Sequence, residues 1–266
     1  QIKEKIERIG TPLKDWDISI NYGIKTGFNE AFIISGEKRK ELIEEDPKSA
    51  EIIRPILRGR DIKRYGYDFA DLWLINTHNG IKEKDIPPIE IEDYPAIKNH
   101  LDQYYSSLEK RADKGDTPYN LRNCAYMEDF SKQKIIYPNM TKFLPFVLDK
   151  NKMFPNPKCY VVTGKHIEFL TAFFNSSLFK YCFRENFPML QDDTRELQKR
   201  CFETIPVIPI NDKVNQIFSD KITEVQALKN KDINTKNLEI EIDNLIFDLY
   251  NLTEYEKNII GFIEIQ

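Results

Sequence analysis

EIIRPILRGRDIKRYGYDFADLWLIN (51–76) is the stretch whose reading decides the rest of the chain. Its start reads as the end of a helix that Pro47 opens and that runs over 47–57. Its middle reads as a turn at 58–61, and its end as a buried strand at 72–75 containing Trp73. Arg54, Arg58, Arg60, Lys63 and Arg64 bring five cations into eleven residues, against the single anion Asp61. Tyr65 and Tyr67 follow at once. Cations interleaved with aromatics suit a polyanion with flat bases, so the stretch points to nucleic acid.

The charge balance constrains that reading. The 266 residues carry 39 Lys and Arg against 43 Asp and Glu, a net charge of −4. A DNA binder with this balance must gather its cations on one face, because overall charge gives it no long-range attraction for phosphate. With 41% hydrophobic and 31% charged residues, the composition is that of a folded, water-soluble protein. The four cysteines, at 124, 159, 182 and 201, and the three histidines are scattered. Such spacing argues against a zinc site and suits a reducing cytoplasm. No apolar run approaches the length of a membrane span. The opening at Gln1, directly into a charged helical pattern over 1–10, reads as the end of an upstream linker or helix in a longer protein.

Outward from the central stretch, strands are expected over 16–24 and 31–34, with a charged helix over 36–46. Pro95 in a first-turn position predicts a helix over 95–110, followed by a polar loop over 111–118. Further strands are expected at 134–137, 146–148 and 159–162. Thr163 is placed to cap a core helix with the stripe Ile167, Leu170, Phe173, Phe174, Leu178 and Tyr181. The two prolines of IPVIP (205–209) make a stiff connector. Beyond it, Val214, Phe218, Ile222, Val225 and Leu228 form one stripe, and Leu238, Ile242, Leu245 and Leu249 a second. The spacing predicts an antiparallel helical hairpin with Phe218 and Leu245 between its helices. Thr253 and Glu256 form a capping box for a last short helix. The expectation is a mixed α/β sheet with flanking helices over 11–204, then a C-terminal α-helical hairpin over 205–266.

The chemistry of common enzymes is missing from the sequence. There is no Gly-x-Gly for a cofactor or methyl donor, and no P-loop. The one Pro-Pro, at 87–88, has apolar flanks, not the Asn/Asp-Pro-Pro-aromatic loop that holds a flipped adenine. No Glu-x-Lys occurs, and 46–48 and 61–63 are the only Asp-x-Lys matches to a metal-nuclease pattern. The residues therefore favour a binding module. The other readings are a protein-interaction scaffold docking through the C-terminal helices and, last, an autonomous nuclease.

Six stretches taken together carry a resemblance: YGIKTGFNEAFII (22–34), IIRPILRGRDIKRYGY (52–67), NLRNCAYMEDFSKQKIIYPNM (120–140), FLPFVLD (143–149), TGKHIEFLTAFFNSSL (163–178) and EIDNLIFDLYNLTEYE (241–256). In this order they resemble the target-recognition region of TaqI-like adenine methyltransferases and of single-chain type IIG restriction–modification enzymes. Type I specificity subunits are more distantly similar. The resemblance implies sequence-specific binding of duplex DNA by a fragment that is not itself catalytic. It also implies an upstream methyltransferase domain in the same polypeptide. S-adenosylmethionine would serve that domain, and magnesium a fused nuclease; this chain would hold neither. The Arg-Gly-Arg-Asp-Ile-x-Arg-Tyr pattern recurs in members that read different sequences, which implies grip on the backbone, not reading of bases. The backbone-contact candidates are Lys25, Arg58, Arg60, Lys63, Arg64 and Lys134, with Arg58 and Asp61 also suited to an internal brace. The base-reading candidates lie in stretches peculiar to this chain: Arg111, Lys114, Asn120 and Arg122, then Gln133, Asn139 and Lys142. Arg and Lys suit guanine, and Asn and Gln suit adenine, in the major groove.

Overall fold

The structure, a computed structural model, describes residues 1–263. It is a mixed α/β fold with two four-stranded sheets and a run of helices after residue 212. One sheet is antiparallel throughout, in the order Val147–Asp149, Lys134–Pro138, Cys159–Gly164, Ile18–Tyr22. The other runs Phe154–Pro155, Ile53–Leu57, Leu72–Ile75, Ile33–Ser35, and its first pair is parallel.

The decisive stretch differs from its expected form. Pro47–Glu51 is a short 3-10 turn whose preceding Asp46 accepts from the Lys48 amide at 3.2 Å. Ile53–Leu57 is a strand, not the end of a helix. Pro55 explains this, since a proline inside a helix removes one hydrogen bond and clashes with the preceding turn. Ile52, Ile53 and Ile56 add β-branched side chains that favour the pleated surface. Pro55 lies opposite Trp73, and pairing with the parallel neighbour begins only at Ile56, so its missing N–H costs no ladder bond on that side.

Other boundaries differ for local reasons. The strand expected at 31–34 is a single helical turn, Asn29–Phe32, and then a strand, Ile33–Ser35. The helix expected over 95–110 is two, Pro95–Asp102 and Tyr105–Lys110. Thr163 belongs to a strand, and the helix after it starts at Ile167 behind His166, which takes φ 58°. That helix breaks at Ser176, whose hydroxyl accepts from the Phe179 amide at 3.1 Å and caps Ser177–Phe183. Just before the break, the Asn175 amide bonds both backbone groups of Phe146, accepting from its N–H at 3.1 Å and donating to its carbonyl at 2.8 Å. The capping box of Thr253 and Glu256 is formed, with Glu256 accepting from the Thr253 amide at 2.8 Å.

The helical region is not set apart from the sheets. Phe169, Phe173, Phe179 and Phe202 share one buried cluster with Phe218, Ile222, Ile246 and Tyr250. Thr11 pairs with Val207, which stitches the start of the chain to the proline connector. Phe218 packs its ring on Phe169 at 5.1 Å, on the helix Ile167–Asn175. Leu245 is half-buried, with Leu238 and Leu249, whereas Ile242, Ile246 and Phe247 are buried. The helix Lys236–Leu249 is thus turned from its expected stripe, because Glu239 and Asp243 also face inward. Phe218→Ala should therefore cost about 3–5 kcal/mol in urea unfolding, the range for a buried Phe, and Leu245→Ala clearly less. Equal losses for the two would contradict this packing.

Candidate nucleic-acid interface

The hairpin at the centre of the decisive stretch sorts its cations by direction. Ile62 pairs with Tyr67 and Lys63 with Gly66, leaving Arg64 and Tyr65 as the turn. Tyr65 takes φ 58°, a left-handed conformation costly for a bulky residue. Its fully buried ring and its N–H, bonded to the Phe146 carbonyl at 2.9 Å, hold it there. The turn carries Arg64 inward, while Arg60 and Lys63 stay exposed.

Arg58 is engaged as a brace. Its guanidinium donates to both carboxylate oxygens of Asp61, at 2.8 and 3.1 Å, and its amide donates to the same group at 2.7 Å. The Asp61 hydrogen bond raises the Arg58 pKa. Arg64 is 6% exposed and donates to Glu239 and to the Asn175 carbonyl. It is therefore removed from the backbone-contact set, because a side chain committed to the interior does not reach a phosphate. Lys134 is removed for the same reason, being fully buried with its ammonium 2.6 Å from both Asp149 and the Phe130 carbonyl. Burial pulls its pKa down, against the pull of Asp149.

Around Arg64 lies a buried polar cluster. Glu239 also accepts from Thr235 at 2.7 Å and pairs with Lys229 at 3.0 Å. Burial pushes the Glu239 carboxyl upward, but Arg64, Thr235 and Lys229 outweigh it and hold the pKa below the usual value. Asp243 accepts from the Ser177 amide at 3.0 Å and from its hydroxyl, yet burial keeps its pKa raised. Lys180 is 3% exposed and donates to the Asn175 carbonyl at 3.1 Å. Burial first, and then the Arg64 charge, depress its pKa well below the ordinary lysine value. An unfolded Lys180 binds its proton up to about pH 10.4, whereas the folded one has released it at lower pH. Between those limits the unfolded state holds more protons, so this group makes stability rise with pH. Lys180→Met should remove that rise and leave the chain at least as stable near neutral pH. Unfolding measured across neutral to alkaline pH checks it, and the same slope in wild type and variant would contradict it.

The base-reading candidates of the polar loop form a self-paired knot. Arg111 is buried and donates to the carbonyls of Thr26, Asp113, Pro118 and Asn120, with its guanidinium 4.6 Å from the centre of the Phe32 ring. Burial lowers its pKa to about 10. Asn120 is buried too, donating to the Ile89 carbonyl at 2.9 Å and accepting from Thr117 at 2.6 Å. Both scaffold the loop and are removed from the reading set. Lys25 and Arg122 flank Asp113 at 2.8 and 3.1 Å, and their hydrogen bonds and charges hold its carboxyl low. Lys114 is exposed and donates to the Glu109 carbonyl. Gln133 donates to Glu168 at 2.7 Å, in a different depression lined by Asp17 and Asp129.

The remaining candidates come together. Arg60, Lys63, Asn139 and Lys142 line one cleft of about 880 Å³, and the Arg58 brace forms part of its wall. Lys158 joins them. It was missed because NPK (156–158) has no charged neighbour to mark it; only its place in the fold beside Pro138 and Gly59 brings it there. Arg60, Lys142 and Lys158 make no ion pair among the described residues, and Lys63 has only a distant one, with Asp68 at 3.9 Å. The side-chain oxygen of Asn139 is buried without a partner among the described residues. Cations from three chain segments around this amide make an arrangement that can bind a polyanion, and the Asn139 amide, once its buried oxygen turns outward, can meet a hydrogen-bonding edge. Gly23, two residues before Lys25, lies against the cleft residue Asn156, where a Cβ would stand 2.0 Å from its carbonyl oxygen.

The profile of the TaqI-like C-terminal specificity domain matches residues 54–207. Among solved structures, the type IIL restriction–modification enzyme MmeI, in complex with DNA, is similar with a TM-score of 0.66 at 12% identity, over 91% of this chain and 34% of MmeI. The type IIG restriction endonuclease BpuSI is similar with a TM-score of 0.54 at 15% identity, over 94% of this chain and 32% of BpuSI. The chain spans about a third of the length of these two enzymes. No curated protein matches the chain.

Proposed function

This chain belongs to the TaqI-like C-terminal specificity domain family, and on that premise we propose that it holds and reads duplex DNA for a restriction–modification enzyme. The observation that carries the reading is the cleft, where Arg60, Lys142 and Lys158 make no ion pair among the described residues, in a protein of net charge −4. Arg60, Lys63 and Lys158 grip phosphates, which positions the duplex without choosing a sequence, and Lys142, a base-reading candidate by its place in the sequence, is assigned to the same grip because it lines the cleft with them. Asn139 offers an amide of the kind that pairs with the major-groove edge of adenine. Lys114 and Arg122, from the neighbouring loop, are further base contacts, with Lys25 beside them on the backbone. Arg122 would exchange Asp113 for DNA.

The proposed parent is an adenine-specific methyltransferase, with or without a fused nuclease. Its upstream domain would use S-adenosylmethionine, and a nuclease would use magnesium; neither group is assigned to residues of this chain. The test is selection of bound duplexes from a random pool, followed by binding to the selected and a scrambled duplex across salt. The expected outcome is one enriched motif, and affinity for both duplexes that falls as salt rises. Absence of enrichment, together with binding indifferent to salt, would overturn the proposal.

A further inference from the structure

The rim of the cleft is unusually apolar for a surface beside free cations. Met140 and Phe143 line the cleft and are each 48% exposed. Met140 pairs with Glu196 and Thr141 with Arg195, which ties the rim to the segment 188–196. That segment folds back on itself: Met189 bridges Arg195, and the Leu190 amide donates to the Thr194 carbonyl at 2.7 Å. Thr194 lines the cleft as well. Met189 is 65% exposed, with Leu190 beside it also exposed.

The hairpin is held firmly. Arg195 is buried and donates to Glu185 at 3.0 Å, Asp193 at 3.2 Å and the Phe187 carbonyl at 3.3 Å. Arg184 holds Asp193 from the other side at 2.7 Å. A braced hairpin that projects bare methionine and leucine forgoes the stabilisation of apolar burial unless something covers them. Charge complementarity selects what does: the cations of the cleft that Thr194 of this hairpin and its partner Met140 line call for a polyanion, and the apolar surface of a polyanionic duplex is the stacked faces of its bases. The hairpin tip carries Asp192, which has no ion pair among the described residues and would be repelled by phosphate. The apolar flank, not the tip, is therefore the part that enters.

We propose that the 188–196 hairpin is a wedge, which inserts Met189, backed by Leu190, between adjacent base pairs of the duplex held in the cleft. Insertion unstacks one step and kinks the duplex, a cost that apolar contact offsets. The inference rests on the DNA-binding reading above.

The experiment uses the whole chain and a duplex selected from a random pool. 2-Aminopurine replaces each adenine in turn, and pyrrolocytosine each cytosine, so that every base pair is reported. Binding is read separately by anisotropy. Wild type should raise fluorescence at one step only. Met189→Ala/Leu190→Ala should abolish that rise while affinity changes by no more than about tenfold, or 1.4 kcal/mol. An unchanged melting temperature would show that the variant is folded, and Met189→Leu should restore the signal. Binding without a fluorescence rise at any step, or a rise that survives in the double variant, overturns the wedge alone. No binding by wild type overturns both the wedge and the DNA-binding reading.

Discussion

Arg64→Ala is expected to lower the stability of the chain by about 3–5 kcal/mol, the cost of leaving one member of a buried ion pair without its partner. Glu239 would remain buried with only Thr235 and the partly exposed Lys229, and the Asn175 carbonyl would keep Lys180 but lose its second donor. Replacing both charges with apolar residues, in Arg64→Met/Glu239→Leu, should recover most of the loss, because buried pairs repay little of their desolvation. Arg60→Ala, four residues earlier and exposed, should change stability by less than about 0.5 kcal/mol. Urea unfolding of the four proteins decides the matter. A mild Arg64→Ala variant, or an Arg60→Ala variant as damaged as Arg64→Ala, would contradict the sorting of the two arginines.

The second large effect concerns binding. Arg60→Ala/Lys142→Ala/Lys158→Ala should weaken selected and scrambled duplexes alike, because phosphates are the same in every sequence. The log–log salt slope should shrink by about 0.9 for each phosphate that the variant no longer neutralises. Asn139→Ala should behave oppositely, costing about 1–3 kcal/mol on the selected duplex and little on the scrambled one. The measurement is a salt titration of each protein on both duplexes. A triple variant with an unchanged slope would remove the cleft as the backbone grip, and Asn139→Ala weakening both duplexes equally would remove Asn139 as a reader.

The class of fold was legible in the sequence because hydrophobic periodicity records which face of an element is buried. The helix Asp212–Lys229 carried such a record, the strands around Ile135, Val161 and Leu74 showed as short apolar runs, and the Thr253–Glu256 capping box marked a helix start. What was not legible is direction. Arg58, Arg60, Lys63 and Arg64 are near-identical as a run of charge, yet one braces a turn, two face a cleft and one is buried. Asp61 sets Arg58 apart, as the sequence allowed, but the inward turn of Arg64 goes with the positive φ of Tyr65, and bulky residues rarely announce a left-handed conformation. The helix Lys236–Leu249 misled for a related reason. Its leucine stripe passed over Glu239 and Asp243, which find partners far away in sequence, Arg64 and Ser177. Arg111 and Asn120 were similarly disguised, because carbonyls satisfy them and carbonyls leave no trace in a sequence. Lys158 was missed for the opposite cause, since a cleft assembled from distant segments needs no local cluster.

The shared core of sheet and C-terminal helices sets where such a module can be transplanted. A splice at 204/205, which the sequence invites, would part Phe169 from Phe218 and Arg64 from Glu239, and a foreign helical half would meet them with the wrong shapes and charges. On the proposed reading, exchange of target preference between relatives is better confined to the cleft segments 139–143 and 156–158 and to the 188–196 hairpin, whose lining side chains the Phe169–Phe218 packing does not involve. A chimera built on those short inserts keeps its donor's scaffold intact, and a change in its preference then reports on the inserts alone.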